Sequence, residues 1–383
     1  MRGYAFVSAI AALTTALLLP LAIVLARRWG VIAEPDESRR LHPNPTPLLG
    51  GVAMCMGVVL ALGVASRLPQ FSDMFSSSSQ AIGLVVGALI ITGVGLIDDI
   101  LEVSAPAKVA GQVLAGSLMY FFGLRLDQFQ IPFGGNIVFS PDLIPLVTVL
   151  WVILMANAVN LIDGLDGLAA GIVGIASASF LLYSTRLFDQ QIITGSNIGP
   201  LVAAITVGVC VGFLPFNWNP AKVFMGDAGA LLLGLLLAVS TMVVGGNAVP
   251  GVSVRGQRYF FFAPLVIPFL LLAVPMVDIV LAVIRRTFNG TGISTADRLH
   301  IHYRLVEVGH GPRRAVAILW TLTALLSAFA LVPVFVSSRW ALLPLGVAMV
   351  GLLVFAIAHP DLREQRRQAR LSRRSLSSDS SIQ

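Results

Sequence analysis

Apolar runs of about twenty residues recur through most of this chain, and a helix of that length spans the hydrocarbon core of a bilayer. Eleven candidates fall near 3–26, 50–66, 81–97, 107–123, 143–160, 167–184, 197–214, 228–244, 259–284, 314–335 and 340–358. Of the 383 residues, 56% are hydrophobic and 11% charged, against roughly 25% charged in a soluble domain. A soluble fold could not solvate so apolar a surface. The fold class expected is all-α: a polytopic membrane protein with eleven transmembrane helices. Arg2 precedes the first run, as in a signal peptide. The run is too long for that, and Arg27 and Arg28 stop it, so an uncleaved helix is expected.

Lys and Arg between the runs divide unevenly. One set of segments holds eighteen of the 25, including Arg27, Arg28, Arg39, Arg40, Lys108, Lys222, Arg285, Arg286, Arg298, Arg304, Arg313 and Arg314; the other holds seven. The richer set is expected on the cytoplasmic side. The N-terminus is then outside and the C-terminus cytoplasmic, which an odd number of spans requires. The net charge of +6 follows from this bias and gives no reason to expect nucleic acid. Residues 1–358 read as a single transmembrane domain, and 359–383, rich in Arg and Ser, as a disordered basic cytoplasmic tail. Cys55 and Cys210 each sit in an apolar run, which suits small buried hydrophobes rather than a disulfide or metal site.

The loops assigned to the outside carry Ser, Gly and Pro and read as spacers. The five assigned to the inside are different. The first has Arg39, Arg40, His42 and Thr46 among prolines at 43, 45 and 47, which impose a stiff extended path; taken alone it reads as a basic loop that sets topology, and beside the other loops it could hold a phosphate. The second has Asp98 and Asp99 at the end of an apolar helix, where two carboxylates repel and resist desolvation. The third repeats polar groups at spacings of three, Asn157, Asn160, Asp163 and Asp166, with Gly164 and Gly167 directly after the two carboxylates. The fourth runs from Asn217 through Lys222 and Phe224 to Asp227. Lys222 suits a phosphate, Phe224 a base, and Asp227 an N-cap or a ligand. The fifth carries His300, His302 and Arg304, which suit phosphate better than zinc because no third neighbouring His or Cys completes a zinc site. Asp278 lies in the cytoplasmic half of its apolar run, seven residues before Arg285, and either pairs with a basic residue or faces the site.

Carboxylates, amides, Lys, Arg and His on one face fit Mg²⁺-assisted phosphoryl transfer, because Mg²⁺ takes hard oxygen ligands and bridges substrate phosphates. A lipid phosphate attacking a nucleotide-sugar diphosphate would use this layout. A secondary transporter for an anionic solute is the alternative of another class. It predicts internal repeats and charges at the midplane, whereas the acidic motifs occur once each and gather on one face.

GLIDD (95–99), NAVNLIDGLDGLAAG (157–171), NPAKVFMGDAG (219–229) and DRLHIHYRL (297–305), with PTPLLGG (45–51), resemble the polyprenyl-phosphate N-acetylhexosamine-1-phosphate transferases in order and over most of the chain. The resemblance implies an eleven-helix all-α fold, dependence on Mg²⁺ (with Mn²⁺ as a substitute) and release of UMP. It implies catalytic roles for Asp98, Asp99, Asp163, His300 and His302, with Asp98 the candidate base. It implies metal contacts at Asp99, Asp227 and Asn160. Asn157, Asp166, Asn217, Lys222, Phe224 and Arg304 would face the nucleotide sugar, and Arg40, His42 and Thr46 the lipid phosphate. The His-Ile-His pattern resembles the N-acetylglucosamine-1-phosphate branch, with Tyr303 standing where that branch more often has His. A phospho-N-acetylmuramoyl-pentapeptide transferase is the alternative within the family, and usually has adjacent histidines there. The partners implied are UDP-GlcNAc, undecaprenyl or a related polyprenyl phosphate and membrane lipid. Oligomeric state is open, a homodimer included. The location expected is the bacterial inner membrane, with the site on its cytoplasmic face.

Overall fold

In a computed structural model, the structure describes residues 2–33, 45–131, 135–190, 193, 196–246, 311–336, 339–352 and 354–355. Helices run α1 Arg2–Trp29, α2 Gly50–Ala65, α3 Ser72–Ser77, α4 Gln80–Leu101, α5 Ala105–Phe121, α6 Ile144–Ile162, α7 Leu168–Asp189, α8 Gly199–Asn217, α9 Gly226–Gly246, α10 Pro312–Phe335 and α11 Leu342–Leu352. Ten of the eleven apolar runs are thus helical; the run near 259–284 lies outside the described residues. Among the described residues, seven helices are long and apolar enough to cross a membrane, or eight if α2 and the sharply bent 69–77 segment form one span. Two short antiparallel hairpins interrupt the all-α pattern. β1 (Ile32–Ala33) pairs with β2 (Thr46–Pro47), and β3 (Gln128–Ile131) with β4 (Gly135–Val138).

A helix apolar all round must sit inside a bundle. The Leu-rich α9 does so: Leu231, Leu232, Leu233, Leu235 and Leu236 are fully buried, and the helix touches α2, α4, α6, α7 and α8. Lipid is as apolar as a leucine side chain, so helix contacts in a membrane rest on close packing and small residues. Gly234 lets α9 reach the backbone of Met155 and Ala156 on α6, and Gly208 and Gly212 admit the carbonyls of Ser8 and Ala12 on α1. The outward faces carry exposed Leu13, Leu17, Leu89, Leu114, Leu146, Leu150 and Val211, an apolar surface suited to acyl chains.

The helices alternate in direction, so residues 30–33, 45–49, 98–104, 163–167, 218–225 and 311 share one end of the bundle, the end assigned to the cytoplasm in the sequence. Backbone bonds stitch that end together. Phe224 N–H donates to Pro47 O (2.8 Å), Gly50 N–H to Phe224 O (3.1 Å) and Gly51 N–H to Met225 O (3.0 Å).

Candidate functional site

Asp98 and Asp99 lie in the last turn of α4, and the two carboxylates do different work. The start of α9 leaves its first N–H groups without intrahelical partners. Asp99 supplies the acceptor from another helix: Oδ1 takes the Asp227 N–H (2.8 Å) and Oδ2 the Ala228 N–H (3.2 Å). A carboxylate there also meets the positive end of the helix dipole. This corrects the N-cap alternative for Asp227, which stands in the first turn of α9 with its carboxylate free to point elsewhere. The contact needs α4 and α9 to touch. Gly95, one turn before Asp99, permits it, since a Cβ there would overlap the backbone of Asp227 and Ala228.

Asp98 turns toward α5. Its Oδ1 accepts the Val103 N–H (3.0 Å), and its Oδ2 lies 2.9 Å from Lys108 Nζ. Lys108 is mostly buried and also contacts Asp227 Oδ2. The Asn160 amide completes the group, donating to Asp227 Oδ1 (3.1 Å) and accepting from Lys108 Nζ (3.2 Å). Lys108 therefore ties α4, α5, α6 and α9 at one point. The sequence offered it only as a topogenic charge, a single Lys near the start of an apolar run. One turn further along α5, the fully buried Gln112 pairs with Asn157 through Nδ2–H···Oε1 (2.7 Å) and a longer return bond (3.4 Å). Residues four apart on α5 and three apart on α6 share a face, so this amide pair braces the Lys108–Asn160 contact. Gln112 was likewise missed, having no motif around it.

A second group forms between the loop after α6 and the loop before α9. Asp166 Oδ2 accepts from Asn219 Nδ2 (2.9 Å) and from the Ala221 N–H (3.0 Å). Asn217 is buried; its Oδ1 accepts the Gly167 N–H (2.8 Å) and its Nδ2 donates to Val223 O (2.9 Å). Both polar ends of Asn217 are thus engaged by backbone, and it shapes the loops. Gly167 has φ +75°, a left-handed conformation natural to glycine. Asp163 lies between the two groups, and its carboxyl is pushed up to about 7 by burial first, then by Asp99 and Asp166. Lys222 is exposed, Phe224 half-buried and Thr46 buried in β2. His300, His302, Arg304, Arg40, His42 and Asp278 lie outside the described residues.

The donor set is oxygen from carboxylates and amides, the hard-ligand chemistry that Mg²⁺ prefers. Asp227 and Asn160 already direct oxygens at a cation, the Lys108 ammonium, so they fit a divalent ion. Asp99 fits through lone pairs that its two N–H donors leave. Among the described residues, no group of three or more His, Cys, Asp or Glu forms a ready-made metal cage.

Residues 81–245 match the sequence profile of glycosyl transferase family 4. A decaprenyl-phosphate N-acetylglucosaminephosphotransferase of Mycobacterium leprae is 34% identical over 92% of this chain and 88% of its own length. A probable undecaprenyl-phosphate N-acetylglucosaminyl 1-phosphate transferase of Bacillus subtilis is 31% identical over 84% of this chain and 82% of its own. A phospho-N-acetylmuramoyl-pentapeptide-transferase of Mycobacterium bovis is 28% identical over 85% and 95%. With these relatives spanning most of its length, and with the profile match enclosing α4 to α9 and the acidic site they build, this membrane chain belongs to glycosyl transferase family 4, the polyprenyl-phosphate N-acetylhexosamine-1-phosphate transferases.

Proposed function

We propose that the protein transfers N-acetylglucosamine-1-phosphate from UDP-GlcNAc to a polyprenyl phosphate, releasing UMP and leaving a polyprenyl-diphosphate-GlcNAc in the membrane. The observation that carries this reading is the meeting of Asp98, Asp99, Asn160 and Asp227 around Lys108 at one end of an apolar bundle. An oxygen of the lipid phosphate attacks the β-phosphorus of the donor. A new P–O bond forms, the bond from that phosphorus to the bridging oxygen breaks, and the electron pair leaves with UMP. The lipid phosphate is already anionic, so the step needs positioning and charge neutralisation more than proton removal.

Lys108 offsets charge among the phosphates and keeps Asp98 and Asp227 from repelling one another. Asn160 orients Asp227. Asp166 and Asn217 hold the loop that presents Phe224 and Lys222 to the nucleotide. Mg²⁺, held by Asp227 and Asn160 with Asp99 adjoining, would neutralise the developing charge on the diphosphate. His300, His302 and Arg304 complete the reading as contacts to the sugar-phosphate, and Arg40, His42 and Thr46 as contacts to the lipid phosphate. The same reading places eleven spans in a bacterial inner membrane, with the N-terminus outside and the site and C-terminus cytoplasmic. The better-matched relatives carry N-acetylglucosamine names, which favours that sugar over the muramoyl-pentapeptide.

The test is UMP release by purified protein with undecaprenyl or decaprenyl phosphate and Mg²⁺, comparing UDP-GlcNAc, UDP-GalNAc and UDP-MurNAc-pentapeptide. Lipid-dependent release from UDP-GlcNAc alone is expected, and chelation abolishes it. Release from the pentapeptide donor instead would overturn the sugar assignment. The assay repeated across protein concentration, with light scattering of the detergent complex, decides whether a homodimer is needed.

A further inference from the structure

Asn219 sits between two charged groups that belong to different parts of the bundle. Its Nδ2 donates to Asp166 Oδ2 (2.9 Å), while its backbone O and its Oδ1 accept from Arg313 Nε (2.9 and 3.3 Å). The two ends of the amide are thereby told apart: the oxygen faces a guanidinium and the nitrogen a carboxylate. Arg313 is the second residue of α10, and the same helix brings Trp320 edge-on to Trp218 with ring centroids 5.5 Å apart. Gly171 on α7 leaves the space that Trp320 occupies. The apolar contact fixes where α10 meets the 217–224 loop, and the polar contact fixes how the loop is turned. Two residues past Asn219, the Ala221 N–H reaches the same Asp166 oxygen (3.0 Å), and the loop then continues to Lys222 and Phe224.

We propose that Arg313 is a positioning residue for the nucleotide-sugar donor. Through Asn219 it locks the 217–224 loop onto Asp166 and so sets the presentation of Lys222 and Phe224, without touching the donor itself. This rests on the reading above that the donor is a nucleotide sugar. A side chain that only stabilised α10 would affect both substrates alike, whereas one acting through this loop affects the donor alone. Arg313 and Arg314 are both exposed, and Arg314, which makes no bond to Asn219, serves as the reference.

The experiment uses the full chain in lipid nanodiscs, with Arg313→Gln, Arg313→Lys and Arg314→Gln. Arg313→Gln should raise the KM for UDP-GlcNAc about five- to tenfold, the size of one ordinary hydrogen bond lost at an exposed site, with kcat changed less and the KM for polyprenyl phosphate unchanged. Arg313→Lys keeps the charge but lacks the planar fork, so it should restore only part of the donor KM; it takes the place of Arg313→Gln if that variant does not fold. Arg314→Gln should match wild type. In the absence of substrate, peptides covering 217–224 should exchange amide hydrogen faster in Arg313→Gln than in wild type. Equal exchange of that loop, or a parallel rise in both KM values, overturns the proposal. Should wild type release no UMP from UDP-GlcNAc, the functional reading fails by itself and the exchange comparison still decides whether Arg313 holds the loop.

Discussion

Lys108 shows how much one residue can carry in this setting. Its ammonium sits between Asp98 and Asp227, with the Asn160 oxygen 3.2 Å away. The group is part-buried, with side chains 15–25% exposed, so removing the ammonium costs less than the ~3–5 kcal/mol lost when a fully buried pair is broken. Lys108→Met should therefore both lower the melting temperature and cut UMP release by more than a hundredfold. Lys108→Arg retains charge but cannot place a compact ammonium between two carboxylates, so it should recover stability more than turnover. Comparing melting curves and turnover of both variants checks this; full activity in either would remove Lys108 from the site. Asp163 gives a second prediction. Its folded carboxyl titrates near 7 because burial and the neighbouring Asp99 and Asp166 disfavour the charge. A raised carboxyl contributes stability present at low pH that is lost as pH rises through the folded value. Without divalent ions, Asp163→Asn should melt above wild type at about pH 8 and close to it at about pH 4. A gap that did not shrink with falling pH would contradict the origin of the shift.

At the scale of elements, glycine decides where helices touch. Gly95 and Asp99 lie one turn apart on α4, so the contact that removes a side chain at 95 is what brings the carboxylate at 99 over the start of α9. Gly51 does the same between α2 and Gly229. Overpacking a tight contact costs about 1–3 kcal/mol. Gly95→Val should cost that much and also release the Asp227 and Ala228 amides. Activity then falls further than in a variant of equal melting temperature made at Gly63, which faces open space. Exchange of the Asp227 and Ala228 amides reads this directly. The elements were largely legible: apolar length located ten helices, and the polar loops Asp98–Asp99, Asn157–Asp166 and Asn217–Asp227 stood out against apolar neighbours. The pairings were not. Nothing in the local pattern says that Asp99 caps a helix 128 residues away, or that Asn217 spends both polar ends on backbone. The hairpins escaped because two- and four-residue strands show too few alternations for a period. Lys108 and Gln112 escaped because isolated polar residues on an apolar helix acquire meaning only from the helices beside them.

On the scale of the whole molecule, polarity is segregated along the bundle axis. One end gathers Asp98, Asp99, Asp163, Asp166 and Asp227 with Lys108, while the middle holds the apolar α9 and the sides expose Leu and Val. Such an arrangement has one stable way to sit in a bilayer, with the acidic end in water and the band of Leu and Val in acyl chains. On the orientation proposed above, the excess of Lys and Arg in the sequence would put that end on the cytoplasmic side. Single cysteines test it. Ser104, at the start of α5, is exposed at the acidic end, and Ser76, in α3, is exposed at the opposite end. Cys55 and Cys210 are buried, 3% and 0% exposed, so they give little background. A membrane-impermeant maleimide added to right-side-out vesicles should label Ser76→Cys and leave Ser104→Cys untouched until the membrane is opened. The reverse pattern would turn the protein over and place the site on the outer face, where no cytoplasmic nucleotide sugar could reach it. Labelling of both positions before opening would mean that this end-to-end segregation does not follow the membrane normal. UMP release by sealed inside-out vesicles supplied with external UDP-GlcNAc, and not by right-side-out vesicles, would tie the orientation to the reaction itself.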